Sequence, residues 1–279
     1  MTDSSVILKI NHLNLSILKD GQQISILHDI CLEIREQEWW AIAGESGAGK
    51  SMTMYALTSL LPEKSTLISG EILYREADGT YTDLLKLPFK DRATYSSNKV
   101  SLIFQDSINA LNPYERIGSQ WCHTLRFRHP EMKKKEQINH IQKRLQQFGI
   151  PDEQVIRKYP HQLSGGMKQR IAIAMALESP AKILIADEPT TSLDAVNQRL
   201  VVDFIKKLCK DQGLTLLYIS HNLPLLYEVC THATILQNGQ ILEQGSCETI
   251  FQHPSQDYTK TLISETKKLL ITHSNLEET

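Results

Sequence analysis

Residues 44–51 read Gly-Glu-Ser-Gly-Ala-Gly-Lys-Ser. Glycines at that spacing let the backbone wrap tightly enough to aim its N–H groups at phosphate oxygens. The lysine reaches the terminal phosphates, and the serine hydroxyl suits a hydrated divalent cation. An apolar run over 39–43 precedes the loop and a helix-like run over 52–61 follows it, so the loop sits between strand and helix, with the helix's positive end aimed at the anion. Chance places the bare spacing in roughly one chain in a hundred of this length, and the flanking pattern makes chance a poorer account. A second feature is the apolar run Ile183-Leu184-Ile185-Ala186, which ends in Asp187-Glu188-Pro189. Carboxylates at the carboxyl end of a parallel strand face the ligand crevice. There Asp187 suits the Mg²⁺ shell and Glu188 suits polarising an attacking water. Alone, two acids at a strand end are a common solvated feature; beside a phosphate loop they point to nucleoside triphosphate chemistry.

The elements that position these residues show in the hydropathy pattern. Residues 6–17 alternate with one slip between Ile10 and Leu13, as in an antiparallel strand with a bulge. Lys19-Asp20-Gly21 marks a turn, and 24–34 alternate again, giving an N-terminal hairpin. The runs at 39–43, 181–186 and 214–219 are nearly continuous in apolar residues, which suits strands covered on both faces of a parallel sheet with helices between them. Asn238-Gly239 between two strand-like runs predicts a hairpin. From about 107 to 166 no buried strand shows, and Lys133 to Gln147 is polar and helix-prone, so a helical insert is expected inside the α/β domain. The tail after about 266 is polar and is expected to fray.

Composition excludes several classes. The 279 residues carry 30 basic and 32 acidic side chains, for a net charge of −2, which leaves no general electrostatic footprint for nucleic acid. Lys133-Lys134-Lys135 has no interleaved aromatics and reads as a solvated helix start. Mean hydropathy is −0.28 and no apolar run has the length to cross a bilayer. The first five residues lack the basic start and apolar core of a secretion signal, so the chain is expected neither to span a membrane nor to be exported. Five scattered cysteines argue against a disulfide framework and a zinc knuckle.

Leu163-Ser164-Gly165-Gly166-Met167-Lys168-Gln169-Arg170 lies shortly before the acidic strand. With the phosphate loop and Asp187-Glu188 it makes the chain, over about 6–265, resemble the nucleotide-binding subunit of an ABC transporter. The resemblance implies an α/β fold: a RecA-like P-loop NTPase core (1–105 and 167–266) with an N-terminal antiparallel β-subdomain, a helical subdomain inserted at 106–166, and a polar tail at 267–279. It implies ATP and Mg²⁺ as cofactors, the nucleotide lying on Gly44, Glu45, Ser46, Gly47, Ala48, Gly49, Lys50, Ser51, Met52 and Asp187. Ser51, Gln105 and Asp187 would hold the Mg²⁺; Glu188, Gln105 and the switch histidine His221 would act on the lytic water and γ-phosphate. The family works as a head-to-tail dimer, so Ser164, Gly165, Gly166 and, in the loop Ser192-Leu193-Asp194, Asp194 would serve the site of the other subunit.

Phe104-Gln105-Asp106 followed by Leu111-Asn112-Pro113, and His253-Pro254 with Tyr258-Thr259, are similar to the oligopeptide and nickel importer group. That similarity implies two transmembrane permeases, a second and non-identical ATPase subunit, an extracytoplasmic binding protein, and a peripheral location on the cytoplasmic face of the membrane. The cargo would be short peptides, nickel or a metal–chelator complex. The chain departs from the family in having no aromatic residue from 6 through 38 on which adenine could stack, and in Gln37-Glu38 where Gly-Glu is usual. A soluble ABC ATPase of DNA repair or translation is the alternative; a single phosphate loop without sustained heptads fits it poorly. A GTPase or small-molecule kinase has no use for the Ser-Gly-Gly signature.

Overall fold

The computed structural model describes residues 6–105, 110–190 and 195–274, without the side chains of 195–197 and 267–274. Two strands, β1 (Val6–Lys19) and β2 (Gln22–Arg35), form the predicted hairpin. Asp20 (φ 52°) and Gly21 (φ 76°) make its turn in the left-handed region that right-twisted hairpins need. The predicted slip is real: the pairing of β1 with β2 shifts register between Ile10 and Leu13, where His12 takes φ 49°. Strand β3 (Trp39–Ala43) leads through the glycine loop into α1 (Lys50–Thr58). That helix is earlier and shorter than the 52–61 run suggests, because Ser59 turns left-handed (φ 54°) and Pro62 follows.

Beyond it come β4 (Thr66–Arg75), β5 (Tyr81–Asp83), α2 (Phe89–Lys99) and β6 (Val100–Ile103). Next are α3 (Ile117–Arg128), α4 (Lys134–Gln147) and α5 (Gly165–Ala176), and the described residues between 110 and 164 hold no strand. The chain then runs through β7 (Ile183–Asp187), α6 (Ala195–Gln212), β8 (Thr215–Ile219) and α7 (Leu223–Val229). It closes with β9 (His232–Gln237), β10 (Gln240–Ser246), α8 (Cys247–Gln252) and α9 (Asp257–Ser274). The last helix crosses residue 266, where the sequence reading begins a fraying tail; Asp257 starts it on the favourable side of the helix dipole.

Two sheets result. The antiparallel one has the order β2-β1-β4-β5; the other, β10-β9-β3-β8-β7-β6, is parallel except for the β9/β10 hairpin. The central strands are buried on both faces and alternate between two cores. Ala41, Ala43, Leu184, Ala186, Leu216 and Tyr218 face the helical side with Trp121, Phe148 and Ile171. Trp40, Ile42, Ile183, Ile185, Leu217 and Ile219 face the antiparallel sheet with Leu13, Leu27 and Met54. Each such leucine or isoleucine contributes about 1.5–3 kcal/mol on burial, which holds the carboxyl ends of β3, β7 and β8 in one row. Glu178, almost fully buried, ties α3 and α4 to the segment after α5: it accepts from Trp121 Nε1 at 3.0 Å and Arg144 Nε at 3.3 Å, and lies 2.8 Å from His140 Nε2.

Candidate functional site

The loop after β3 turns on three glycines with positive φ: Gly44 (148°), Gly47 (83°) and Gly49 (105°). Two are fixed by crowding as well as by dihedral. A Cβ on Gly44 would overlap the Leu236 carbonyl oxygen of β9, and one on Gly49 would stand 2.7 Å from Leu27 Cδ2. Around Gly47 there is open space. Lys50 folds back over the loop, donating from Nζ to the carbonyl oxygens of Gly44 and Glu45 at 2.8 Å each. Burial holds its pKa below the ordinary lysine value, although Glu188, Asp187 and Glu45 pull the other way.

β7 delivers the acids. The Asp187 carboxyl is pushed up, first by burial and then by Glu188, against the opposing pull of Lys50 and a hydrogen bond from Ser51. Glu188 has left the strand (φ 43°), with its N–H donating to the Ile219 carbonyl at 2.8 Å, so its side chain leans over the cleft. Both its oxygens are engaged: Gln105 Nε2 donates to Oε2 at 3.3 Å, and His221 Nδ1 lies 3.0 Å from Oε1. Lys50, Ser51, Gln105, Asp187, Glu188 and His221 thus line a single cleft of about 520 Å³ with Ser46, Gly47, Gly49 and Met52. Gly44, Glu45 and Ala48 shape the loop behind it.

Ser164, Gly165 and Gly166 do not line this cleft. Ser164 caps α5, its Oγ accepting from the Met167 N–H at 3.3 Å, and Ser164 and Gly165 are exposed. Asp194, with Ser192 and Leu193, lies outside the described residues, as do Asp106 and 107–109.

Three residues with a place here escaped the sequence reading. Ile26 of β2 lines the cleft, an aliphatic side chain in a hairpin that carries no aromatic residue. Gly239, legible as a hairpin residue, also braces the loop: its N–H donates to the Ala48 carbonyl at 3.0 Å. Tyr258, legible only as a group marker, accepts from the Glu45 N–H at 3.1 Å through its hydroxyl. Gln37, where glycine is usual, sits at φ 63° and is held by its N–H donating to Thr215 Oγ1 at 2.8 Å.

A glycine loop between strand and helix, with acids at the end of β7, separated from β3 by β8 in the same parallel sheet, defines a P-loop nucleotide fold. The profile of the ABC transporter family matches residues 27–191, and the chain belongs to that family. It is 33% identical over 269 residues to the glutathione import ATP-binding protein GsiA of Salmonella choleraesuis strain SC-B67, covering 96% of this chain and 43% of that protein. It is 32% identical over the same length to GsiA of Escherichia coli O157:H7. The chain therefore spans less than half the length of these curated relatives. Among solved structures, cbiO1 of Clostridium perfringens, part of the ABC transporter complex cbiONQ, superposes with a TM-score of 0.71 at 24% identity, over 99% of this chain and 100% of that one. The dimeric cassette MJ0796 bound to ADP and Pi gives a TM-score of 0.71 at 23% identity over 86% of this chain and 99% of that one. The fold is that of an ATP-binding cassette.

Proposed function

We propose that this chain binds and hydrolyses ATP as the energy-supplying subunit of an importer. The observation that carries the reading is the convergence of Lys50, Ser51, Asp187, Glu188, Gln105 and His221 on one cleft. The backbone N–H groups of the loop and the N-terminal end of α1 receive the phosphates. Lys50 exchanges its two loop carbonyls for phosphate oxygens, a trade eased by the partial burial of its ammonium. The oxygen donors of Ser51, Gln105 and Asp187 fit Mg²⁺, and the burial and, after it, the neighbouring Glu188 charge that together raise the Asp187 pKa are what a cation would offset. That ion would neutralise charge on the phosphates. Glu188, held at both oxygens, polarises the attacking water and takes its proton as the water oxygen bonds to the γ-phosphorus and the bond from that phosphorus to the β–γ bridging oxygen breaks, with ADP as the leaving group. Ile26 and Met52 give the nucleotide an aliphatic wall in place of an aromatic ring.

Exposure of Ser164 and Gly165 away from their own cleft supports a composite site, in which they, Gly166 and Asp194 serve a sister subunit. Residues 106–166 act as a helical arm carrying that surface, on a core of 1–105 and 167–266. Two permeases, a non-identical second ATPase and an extracytoplasmic binding protein complete the assembly at the cytoplasmic face of the membrane. None of the helices among the described residues is long and apolar enough to cross a membrane. Exposed Leu60 and Phe104 border an apolar cleft of about 390 Å³ immediately before Gln105, which suits a permease contact that is felt at the site. The relatives' names specify glutathione, a tripeptide, and favour a short-peptide cargo over nickel.

Affinity purification of the tagged chain from detergent-solubilised membranes tests this: permeases co-purify and stimulate ATP turnover. Recovery with ribosomes or DNA-repair factors, and without permeases, overturns it.

A further inference from the structure

Outside the nucleotide cleft, the bulge of the β1–β2 hairpin gathers three side chains of different donor type. His12 Nδ1 lies 2.7 Å from Asp29 Oδ1 and 3.7 Å from Cys31 Sγ, and the three ligand atoms all lie within 4.8 Å of one another. We propose that His12, Asp29 and Cys31 form a binding site for one borderline-soft divalent metal ion, with the chemistry of Zn²⁺.

The geometry is close to what the ion asks for. Ligands at about 2.0–2.3 Å from a tetrahedral Zn²⁺ stand about 3.3–3.7 Å apart. The nitrogen–sulfur separation of 3.7 Å already meets that spacing. The 2.7 Å nitrogen–oxygen separation is that of a hydrogen bond, and opens by about 0.6 Å when the ion takes the place of the shared proton.

The backbone prepares the site. His12 (φ 49°) and Asp29 (φ 54°) both occupy the sparsely populated left-handed region. Asn14 ties the two strands between them: its amide donates to the His12 carbonyl at 2.9 Å, and its Oδ1 accepts from the Asp29 N–H at 3.0 Å. From behind, β4 presses close, since a Cβ on Gly70 would overlap the His12 carbonyl. The His12 N–H donates to Cys31 Sγ at 3.3 Å, which draws the sulfur toward the pair. Three strands thus converge on the bulge and aim His12 and Asp29 at one spot.

An ion pair is a poor account of this arrangement. The His12 and Asp29 side chains are 76% and 69% exposed, and an exposed pair contributes little to stability. The same exposure admits an ion without opening the fold. An imidazole nitrogen, a carboxylate oxygen and a thiolate sulfur favour Zn²⁺ or Co²⁺ over Mg²⁺ and Ca²⁺, which prefer oxygen alone. Three protein ligands leave a fourth position for water or an outside ligand. On binding, the Cys31 thiol proton passes to solvent and His12 keeps a proton on Nε2, so affinity rises with pH. Cys31 is half-buried whereas the other four cysteines are buried, which makes it the accessible sulfur.

The test uses the full chain, reduced and stripped with chelator, titrated first with Co²⁺ and then with Zn²⁺. One equivalent of Co²⁺ per chain should give a sulfur-to-cobalt charge-transfer band together with tetrahedral d–d bands, and Zn²⁺ should bleach both. Cys31→Ser should abolish the sulfur band. His12→Asn and Asp29→Asn, which keep side chains that tolerate the left-handed backbone, should each weaken Zn²⁺ binding by about tenfold or more in competition with a chromophoric chelator. Absence of the sulfur band in the wild-type chain overturns the proposal, as does unchanged Zn²⁺ affinity in both asparagine variants. If Cys31→Ser does not fold, the asparagine variants decide.

Discussion

Gly44 and Gly47 belong to one loop and one motif, and both sit at positive φ, but their surroundings differ. Gly44→Ala drives a methyl group into the Leu236 carbonyl oxygen, whereas Gly47→Ala meets nothing within 4 Å. Both variants carry backbone strain of about 1–3 kcal/mol. Only Gly44→Ala adds the cost of overpacking, about 1–3 kcal/mol, because the obstructing atom is backbone in a β9 strand paired on both sides. For a domain of this size each kcal/mol lowers the melting temperature by about 2–4 °C, so Gly44→Ala should melt about 2–12 °C below Gly47→Ala. Thermal and urea unfolding of the two variants without nucleotide measures the difference. Nucleotide binding then separates them the other way: Gly47→Ala stays folded and loses affinity through the misshapen loop. Melting temperatures within a degree of each other would refute the claim that β9 clamps the start of the loop.

Glu188→Gln should keep ATP binding and lose about 10²–10⁴-fold in turnover, measured in the assembled complex. Lys50→Ala should weaken equilibrium ATP binding, read by a fluorescent nucleotide. Tyr258→Phe removes the acceptor for the Glu45 N–H, costs about 0.5–1.5 kcal/mol, and should lower ATP affinity severalfold if α9 braces the loop; an unchanged affinity limits α9 to packing. Asp187 supplies a pH dependence. Its folded pKa is raised above the ordinary 3.8, so between 3.8 and the raised value the folded state holds more protons than the unfolded one, and stability from this group falls as pH rises. Asp187→Asn should therefore melt higher than wild type at neutral pH without Mg²⁺, with the gain vanishing below about pH 4. A lower melting temperature at neutral pH contradicts the direction of the shift.

The parts of this fold that repeat a simple rule were legible in the sequence. Strands β3, β7 and β8 are covered on both faces and show as short apolar runs, and Asn238-Gly239 supplies the left-handed pair of a tight hairpin. The bulge at His12 showed as a break in alternation. Strand β4 gave no such signal, since only Ile72 and Tyr74 of its ten residues are buried, and β5 is three residues long. The cis side of the site was legible because its chemistry constrains residue type at fixed spacing. Gly239 and Tyr258 were not, because they reach the loop from about 190 and 210 residues away, by tertiary packing that leaves no period in the sequence. Ile26 was hidden for the opposite reason: an apolar residue in an alternating strand looks the same whether it faces a core or a nucleotide.

The central claim, that the triphosphate is held by residues 44–51 of one subunit and closed over by the Ser-Gly-Gly segment of another, is tested most directly by ATP carrying a photoreactive group on its γ-phosphate. The analogue is cross-linked in the assembled transporter with Glu188→Gln in place, and the adducts are mapped by mass spectrometry. Adducts on this chain at both 44–51 and 164–166 are predicted, with Lys50→Ala suppressing the first and leaving the second, which belongs to the sister subunit's nucleotide. Labelling at neither segment, or at 44–51 alone, contradicts it.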